Sequence, residues 1–306
     1  MKKSDQLQVA VLGASGIGRA HVREFTRAGA FVKGILGRSQ ESASQTAARL
    51  NKEFRLSLKP FWNIEELLNC GIDAVSIATP WDIHFEQIRK SLDKGLFVFC
   101  EKPLFWNKAV TPEGIKKDCR YLLENAQEKL ALNICNIAYL QAYEKLYGLP
   151  PKIESFEFSY FAQGKHNGDE IGVDLLPHGI SLINYLAPRG VLSSLKKEIT
   201  QNDYHCWFQY TGIKCHFHFK EDPKGPKEFS FKINGLKTSR SFEVRDNQYC
   251  PSLIRDDELR QENPVADPFF VFISDFVNKI KTKEKFLCDT KAAVQNMQMV
   301  SDIILA

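Results

Sequence analysis

The chain has 306 residues, 43% of them hydrophobic, and its 41 Lys and Arg residues against 37 Asp and Glu residues give a net charge of +4. This length predicts two domains with an ample core. The basic residues cluster only in pairs such as Lys116 and Lys117, which argues against a nucleic-acid surface. Apolar runs are shorter than the ~18 residues that span a bilayer. We therefore expect neither a nucleic-acid partner nor a membrane partner.

The cysteines and the first residues favour a cytoplasmic location. The apolar run over residues 9–12 is shorter than the hydrophobic segment of a secretory signal. The eight cysteines show no C-x-x-C spacing and no His–Cys spacing of the zinc type. We expect them to be reduced and mostly buried, and we expect no metal site.

The first part of the chain alternates short apolar runs with amphipathic stretches. In chain order the pattern predicts strand 7–13, helix 17–29, strand 31–36, helices 40–50 and 64–69, strand 73–79, helix 83–94, strand 96–100, helix 111–129 and strand 131–136. Continuously apolar strands that alternate with helices are typical of a parallel sheet covered on both faces. The fold class of this part is therefore α/β.

The pattern changes at Leu149-Pro150-Pro151, after a predicted helix over 140–147. Strands with period-two alternation follow at 153–163, 205–210, 213–220, 228–234 and 238–245, and helices at 267–281 and 289–306 close the chain. This succession predicts an α+β domain with an open, mostly antiparallel sheet. We predict the domain boundary between residues 125 and 126. A broad open sheet is a natural association surface, so we expect a second subunit to cover one of its faces.

A glycine-rich turn follows the first predicted strand. Gly13-Ala14-Ser15-Gly16-Ile17-Gly18 keeps the first and last glycines of G-x-G-x-x-G, with Ser15 in place of the middle one. In a Rossmann-type domain this turn lets main-chain N–H groups and a helix N-terminus face a pyrophosphate. An ordinary glycine turn is the alternative, but the surrounding strand–helix–strand spacing favours a dinucleotide-binding domain over 1–125. The predicted contacts are Gly13, Ser15, Gly16, Ile17 and Gly18.

The second predicted strand ends in Gly37-Arg38-Ser39. An acidic residue at this place binds the ribose hydroxyls of NAD, whereas an arginine suits the 2′-phosphate of NADP. The nearest acid is Glu41, beyond the end of the strand. We therefore predict that NADP(H) is favoured over NAD(H), with Arg38 and Ser39 as contacts; an Arg38 that only faces solvent is the alternative.

Two further motifs carry candidate catalytic groups. Lys102 follows the strand over 96–100, and ligands of open parallel sheets lie outside the carboxyl ends of strands. Asp174 and His178 are four residues apart, which places them on one face of a helix. Pro177 disfavours a long straight helix here, so we expect this pair within a first turn. Each motif alone is typical of surface or capping residues; their joint occurrence favours a catalytic role.

The order and spacing of these motifs resemble the glucose–fructose oxidoreductase, inositol dehydrogenase and rhizopine-catabolism (Gfo/Idh/MocA) oxidoreductase family. The resemblance runs over nearly the whole chain. Its motifs are the glycine turn with Arg19-Ala20-His21, Ala78-Thr79-Pro80 with His84, Glu101-Lys102-Pro103-Leu104, Asp174 with His178, and the helix after Cys288-Asp289. It implies hydride transfer between a nicotinamide and a secondary alcohol or ketone of a sugar, inositol or sugar derivative. Residues 126–306 would form the substrate-binding and oligomerisation domain, and the resemblance implies a homodimer or homotetramer formed through its open sheet.

By position, the resemblance makes Lys102, Asp174 and His178 the catalytic group. An imidazole titrates near neutral pH and suits the base, a lysine can stabilise the developing alkoxide, and the carboxylate can orient the imidazole or bind a hydroxyl. Whether Lys102 or His178 moves the proton stays open. The implied cofactor contacts beside the nicotinamide are Thr79, Pro80, His84, Glu101 and Lys102.

The substrate is left open by departures from the family pattern. Leu176 and Ser181 stand where the family often has Gly and Asp, and residues 136–139 replace a stretch that is commonly rich in arginine. Candidate substrate contacts, for each of which ordinary packing is an alternative, are Trp81, Tyr139, Tyr160, Gln163, Lys165 and His166.

Two other interpretations compete with this one. Tyr210 and Lys214 have the spacing of the catalytic pair of short-chain dehydrogenases, but Thr211-Gly212 interrupts any helix there, and we reject this match. A non-catalytic NAD(P)-binding regulatory or assembly protein of the same fold stays as the alternative, which a substrate assay would distinguish.

Overall fold

The computed structural model describes residues 6–107, 109–188, 190–245, 248–257 and 261–306. The chain divides into two compact units. The first comprises Met1–Asn133 and Phe269–Met297, and the second comprises Ile134–Pro268 and Gln298–Ala306.

The first unit is built on a parallel sheet of six strands. They are β1 (Gln8–Leu12), β2 (Phe31–Leu36), β3 (Lys59–Phe61), β4 (Ala74–Ile77), β5 (Phe97–Glu101) and β6 (Leu130–Asn133). Their order in the sheet is β3-β2-β1-β4-β5-β6, with every neighbouring pair parallel. The predicted α/β architecture is confirmed, and all four residues of β4 are buried, as expected of a strand covered on both faces.

Helices connect these strands, and short polar side chains begin several of them. They are α1 (Ile17–Arg27), α2 (Gln40–Phe54), α3 (Ile64–Leu68), α4 (His84–Asp93) and α5 (Pro112–Asn125). The side chain of Asn63 accepts hydrogen bonds from the first N–H groups of α3. The hydroxyl of Thr111 does the same for α5, which has Pro112 at its first position.

The second unit contains an open sheet of eight strands. The remaining elements are α6 (Ile137–Tyr147), β7 (Ser155–Ala162), α7 (Asp169–Leu186), β8 (Leu192–Ile199), β9 (Asp203–Tyr210), β10 (Ile213–Glu221), β11 (Glu228–Ile233), β12 (Leu236–Arg245), β13 (Gln248–Arg255), β14 (Asn263–Pro264), α8 (Pro268–Thr282) and α9 (Thr290–Ile304). The strand order is β14-β13-β12-β11-β7-β10-β9-β8, and only β7 and β10 pair in parallel within this order. The predicted mostly antiparallel sheet is confirmed.

The expectation of a short first turn around Asp174 and His178 is wrong. Both lie well inside α7, an 18-residue helix with Pro177 in its interior. A proline inside a helix costs about 3 kcal/mol, because it removes one hydrogen bond and crowds the preceding turn. From Ile171 to Ile183 every residue except Asp174 is buried, and each buried large apolar side chain contributes about 1.5–3 kcal/mol. Packing against β7, β9 and β10 therefore outweighs the cost of the proline.

The boundaries of the two compact units differ from those of the predicted domains, 1–125 and 126–306. The assignment of cofactor binding to the first domain and substrate binding to the second stays a prediction. β6 begins after residue 125 and pairs with β5, so it belongs to the first unit. Residues 269–297 join the same unit.

All eight cysteines are free, and five of them are buried, as the sequence predicts. No helix in the described part of the chain has both the length and the apolar character needed to cross a membrane.

Candidate functional site

A cleft of about 550 Å³ lies in the first unit, where β1, β2 and β4 end. β1 is the strand from which the sheet order runs in opposite directions, and ligands of open α/β sheets bind at this switch point. The cleft is lined by Gly13, Ala14, Ser15, Ile35, Leu36, Gly37, Arg38, Ser42, Thr46, Thr79, Pro80, Ile83 and Gln87.

The turn after β1 requires glycine for two separate reasons. Gly13 has φ +84°, and a Cβ there would lie 2.6 Å from the carbonyl oxygen of Ala78. A Cβ on Gly18 would overlap the carbonyl oxygen of Gly13. Gly16 begins α1 without a side-chain hydrogen bond, and the first turn holds no acidic residue. The N-terminal N–H groups of α1 are therefore suited to an anion.

The end of β2 gives the cleft a positive charge. Arg38 is exposed and lines the cleft, and the lining residues named above include no Asp or Glu. The hydroxyl oxygen of Ser39 accepts a hydrogen bond of 3.2 Å from the N–H of Ser42 at the start of α2. Glu41, the nearest acid in sequence, accepts a hydrogen bond from Gln45. This arrangement suits an anionic group near Arg38.

A buried histidine holds the segments that follow β4 and β5. Nε2 of His84 lies 2.8 Å from the carbonyl oxygen of Thr79, and Nδ1 lies 3.1 Å from that of Pro103 and 3.5 Å from Sγ of Cys100. Burial lowers the pKa of His84 and raises that of the Cys100 thiol, so the ring is neutral and the thiol keeps its proton. A neutral imidazole has one N–H group, which donates to the carbonyl oxygen of Thr79 or to that of Pro103. His84 thus positions Thr79, whose hydroxyl donates to Gln87.

Glu101, at the end of β5, is the centre of a buried polar network. Oε1 of Glu101 lies 2.8 Å from Nε2 of His21 and accepts a 2.5 Å hydrogen bond from Asn133. Nδ1 of His21 lies 2.6 Å from the hydroxyl of Ser76. Burial acts to raise the pKa of Glu101, but the hydrogen bonds from His21 and Asn133 and the charges of His21 and Lys102 outweigh it, and the pKa is lowered. Glu101 is therefore a fixed negative charge beside half-buried Lys102.

The second unit carries Asp174 and His178 on α7. His178 is buried, and its ring meets the ring of Tyr160 edge-on at a centroid distance of 5.2 Å. Asp174 is half-buried, and its carboxylate lies within 4.8 Å of ligand atoms of His166 and Glu221. The hydrogen bond to Glu221 raises the pKa of His166, and the charge of Asp174 adds to this. Two of the predicted residues, His166 and Asp174, thus form an acid–imidazole cluster with Glu221. A third, His178, lies on the same helix as Asp174.

Among the described residues of the second unit, two groups of side chains could each offer three atoms to a cation. One is the cluster of His166, Asp174 and Glu221, and the other is Asp203, His205 and His218. The absence of a metal site stays a prediction.

The remaining candidate residues have varied surroundings. Tyr139 is buried with its hydroxyl 3.1 Å from that of Tyr249, Gln163 donates to the carbonyl oxygen of Gly225, and Lys165 is exposed. Trp81 belongs to the first unit and lies just after Pro80. None of these four lines the cleft described above.

The rejection of a short-chain dehydrogenase pair is confirmed. Tyr210 lies on β9 and Lys214 on β10, so they do not share a helix. The hydroxyl of Tyr210 donates to Asn184.

Five of the residues predicted to contact a cofactor line the cleft, together with polar residues that were not predicted. Gly13, Ser15, Arg38, Thr79 and Pro80 line it, whereas Gly16, Ile17, Gly18 and Ser39 lie in the adjoining turns and helix starts. His84, Glu101 and Lys102 are not among its lining residues. Three polar lining residues, Ser42, Thr46 and Gln87, are not among the residues predicted from the sequence. Ser42 and Thr46 are four residues apart on α2, a spacing that could have revealed them.

Comparisons with known proteins agree with this geometry. Residues 7–129 match the family described as "Oxidoreductase family, NAD-binding Rossmann fold". An inositol 2-dehydrogenase of Rhodococcus jostii is 33% identical over 120 residues, which are 39% of this chain and 32% of that protein. The matched part spans 32%, 41% and 57% of the length of three such inositol 2-dehydrogenases.

Solved structures resemble nearly the whole chain in fold. A UDP-N-acetylglucosamine 3-dehydrogenase from Acidithiobacillus ferrooxidans has a TM-score of 0.75 at 19% identity, covering 98% of this chain and 97% of that one. A 3-ketoreductase from Actinomadura kijaniata, in complex with TDP-benzene and NADP, has a TM-score of 0.75 at 18% identity, covering 99% and 98%. At these identities the likeness shows the fold alone. Residues 7–129 are thus similar to the NAD-binding Rossmann-fold part of this oxidoreductase family, and the fold of nearly the whole chain is that of these sugar-nucleotide oxidoreductases.

Proposed function

We propose that this protein is an NAD(P)-dependent oxidoreductase that transfers a hydride between the nicotinamide and a secondary alcohol or ketone of a sugar, inositol or sugar derivative. One observation carries the proposal. Thr79, after β4, lines the cleft, and Lys102 directly follows the neighbouring strand β5. The ammonium group of Lys102, a candidate catalytic group, thus follows the strand next to the one that ends at the cleft, and a dinucleotide binds at this edge of such a sheet.

The cleft fits a dinucleotide because a Cβ on Gly13 or Gly18 would fill the cradle of the turn after β1. The turn with Ser15 and the start of α1 would hold the pyrophosphate, and Arg38 with Ser42 would hold the adenosine-ribose end. When bound, the nicotinamide accepts or supplies the hydride.

The protein's own groups would handle the hydroxyl proton. Lys102, whose charge acts on buried Glu101, would hold the substrate oxygen and stabilise its negative charge as the proton leaves. His178 would take that proton, or return it in the reverse direction. Asp174, one helical turn from His178 on α7, would orient the imidazole or bind a neighbouring hydroxyl.

Substitution of Lys102 and His178 tests the catalytic assignment. In Lys102→Ala and His178→Ala we expect turnover to fall by about 100-fold or more, since a positioned acid–base group contributes roughly 10²–10⁴-fold. Cofactor affinity should fall far less than turnover. Lys152→Ala is the matched control, because Lys152 is an exposed ion-pair partner of Glu154.

The assay follows NADPH absorbance with a panel of inositols, sugars and keto sugars. Wild-type turnover in either variant would overturn the assignment. NADPH binding without turnover of any alcohol or ketone in the panel would instead favour the non-catalytic alternative.

We further propose that NADP(H) is preferred over NAD(H), on the support of Arg38 at the cleft and the acid-free lining. A charge-assisted hydrogen bond contributes about 1.5–3 kcal/mol, so Arg38→Ala should weaken NADPH binding by roughly 10- to 150-fold. NADH binding should hardly change. Arg120→Ala, an exposed site on α5, is the control. An unchanged NADPH affinity in Arg38→Ala would remove Arg38 from the cofactor site.

We also propose a homodimer or homotetramer formed through the eight-stranded sheet. The support is the face of β9 and β10 that carries His205, Trp207 and His216, whose rings stack in parallel and are half-buried. Light scattering on a size-exclusion column should give the mass of two or four chains, and Trp207→Glu should lower it. A monomeric mass for the wild type would contradict this.

A further inference from the structure

Arg240 on β12 lies among aromatic rings of the second unit. Its guanidinium carbon is 5.1 Å from the ring centroid of Phe229 and 5.8 Å from those of Tyr139 and Phe242. The phenols of Tyr139, Tyr160 and Tyr249 interact electrostatically with it. We call Arg240 with these three tyrosines the Arg240 group.

The position of Arg240 in the sheet is one at which an apolar residue is expected. Register pairs Phe219 with Tyr160 and Tyr160 with Phe229, in a row across β10, β7 and β11. Arg240 continues this row, one residue beyond the Ser230–Ser239 pair of β11 and β12. Phe219 and Phe229 are fully buried. The chain therefore places a permanent positive charge in an aromatic row, where burial of an unpaired charge is costly.

The charge of Arg240 has no acidic partner within the described residues. None of the ion pairs found there joins Arg240 to a carboxylate, whereas Arg245 at the end of the same strand pairs with Glu243, and Arg255 on β13 pairs with Asp257. Nε of Arg240 is buried and has no hydrogen-bond partner among those residues. The hydroxyl of Thr238, two residues earlier on β12, is also buried without a hydrogen-bond partner among those residues. A planar guanidinium whose Nε–H lacks a partner is well matched to a carboxylate or a phosphate.

The Arg240 group adjoins the proposed catalytic histidine. The ring of Tyr160 meets the ring of His178 at 5.2 Å and also belongs to the Arg240 group. Tyr139, whose ring is 4.8 Å from Phe229, shares its hydroxyl contact with Tyr249. Tyr160 therefore links an imidazole suited to proton transfer with a guanidinium suited to an anion.

We propose that Arg240, with the hydroxyls of Tyr139 and Tyr249, binds an anionic group of the substrate, a carboxylate or a phosphate, while His178 acts on a hydroxyl of the same molecule. This inference rests on the proposed function and names its substrate class: acidic or phosphorylated sugars rather than neutral ones. The binding energy of the anion fixes which hydroxyl reaches the reacting position.

The test compares anionic and neutral ligands in the wild type, Arg240→Gln and Arg240→Lys. Glucuronate, glucose 1-phosphate and glucose form the ligand set, and calorimetry in the presence of NADPH measures binding whether or not turnover occurs. Arg245→Gln is the matched control, because Arg245 is an exposed arginine of the same strand with its own acidic partner. Circular dichroism on every variant confirms folding.

We expect the wild type to bind one of the anionic ligands at least about tenfold more tightly than glucose, as a charge-assisted pair predicts. Arg240→Gln should lose that preference and raise KM with little change in kcat, Arg240→Lys should keep part of it, and Arg245→Gln all of it. Preference for glucuronate or for glucose 1-phosphate identifies the anion.

Equal binding of all three ligands by the wild type, or an undiminished preference in Arg240→Gln, would overturn the inference. Turnover of neutral sugars with no anionic preference would leave the proposed function standing while this inference fails. Anion binding through Arg240 with no turnover of any ligand would count against the proposed function alone.

Discussion

Gly13→Ala measures how closely the turn after β1 is packed against the segment after β4. Alanine at φ +84° costs about 1–2 kcal/mol, because its Cβ crowds the backbone in the left-handed region. The new Cβ would also lie 2.6 Å from the oxygen of Ala78 and 2.9 Å from the nitrogen of Thr79. Overpacking of this kind costs about 1–3 kcal/mol more. We expect a total loss of roughly 2–5 kcal/mol in the free energy of unfolding.

Gly212→Ala is a matched control for this experiment. Gly212 also has φ +84°, but a Cβ there meets no atom within 4 Å. Its substitution should therefore cost only the backbone part, about 1–2 kcal/mol. Urea unfolding, followed by circular dichroism, gives the loss in free energy of unfolding for each variant. The difference between the two losses is the part due to close packing at Gly13. NADPH titration should show weaker binding in Gly13→Ala only. Equal destabilisation of the two variants with unchanged NADPH affinity would refute the tight turn and its role in cofactor binding.

Two further predictions concern pH and buried charge. Burial lowers the pKa of His84 below its ordinary 6.5, so the unfolded chain binds a proton that the folded chain lacks, and stability falls as pH drops through 6.5 towards the folded value. His84→Gln should reduce this fall between about pH 7 and about pH 5 in urea titrations, and an identical fall in the variant would contradict a neutral buried ring. In Glu221→Gln the pKa of His166 should drop towards 6.5, since the hydrogen bond that His166 donates to Glu221 is the largest cause that raises it. NMR titration of the ring resonances checks this, and an unmoved pKa would rule out the pairing.

The first unit was largely predictable because its strands are short, apolar and regularly separated by amphipathic helices. The glycine turn, Arg38 and the Thr79-Pro80 segment could be assigned to one edge, because the carboxyl ends of neighbouring parallel strands share an edge. β3 was missed, since three residues with Pro60 in the middle carry no periodic signal.

The second unit was less predictable because tertiary packing overrides local sequence signals there. Pro177 disfavours a helix that burial nevertheless stabilises. β8 is an edge strand whose residues are mostly exposed and polar, so its alternation is weak. Pro251 lies in β13 opposite Phe242, at a place where a proline is normally taken as evidence against a strand. Arg240 gave no sequence signal, since its importance comes from the row of aromatic residues that the register of four strands assembles.

Calorimetric titration of the wild-type protein with NADPH, and then with NADH, tests the central claim most directly. The account predicts one NADPH bound per chain, with NADH bound more weakly. Failure of both dinucleotides to bind would contradict the assignment of the cleft around Gly13 and Arg38 as a cofactor site.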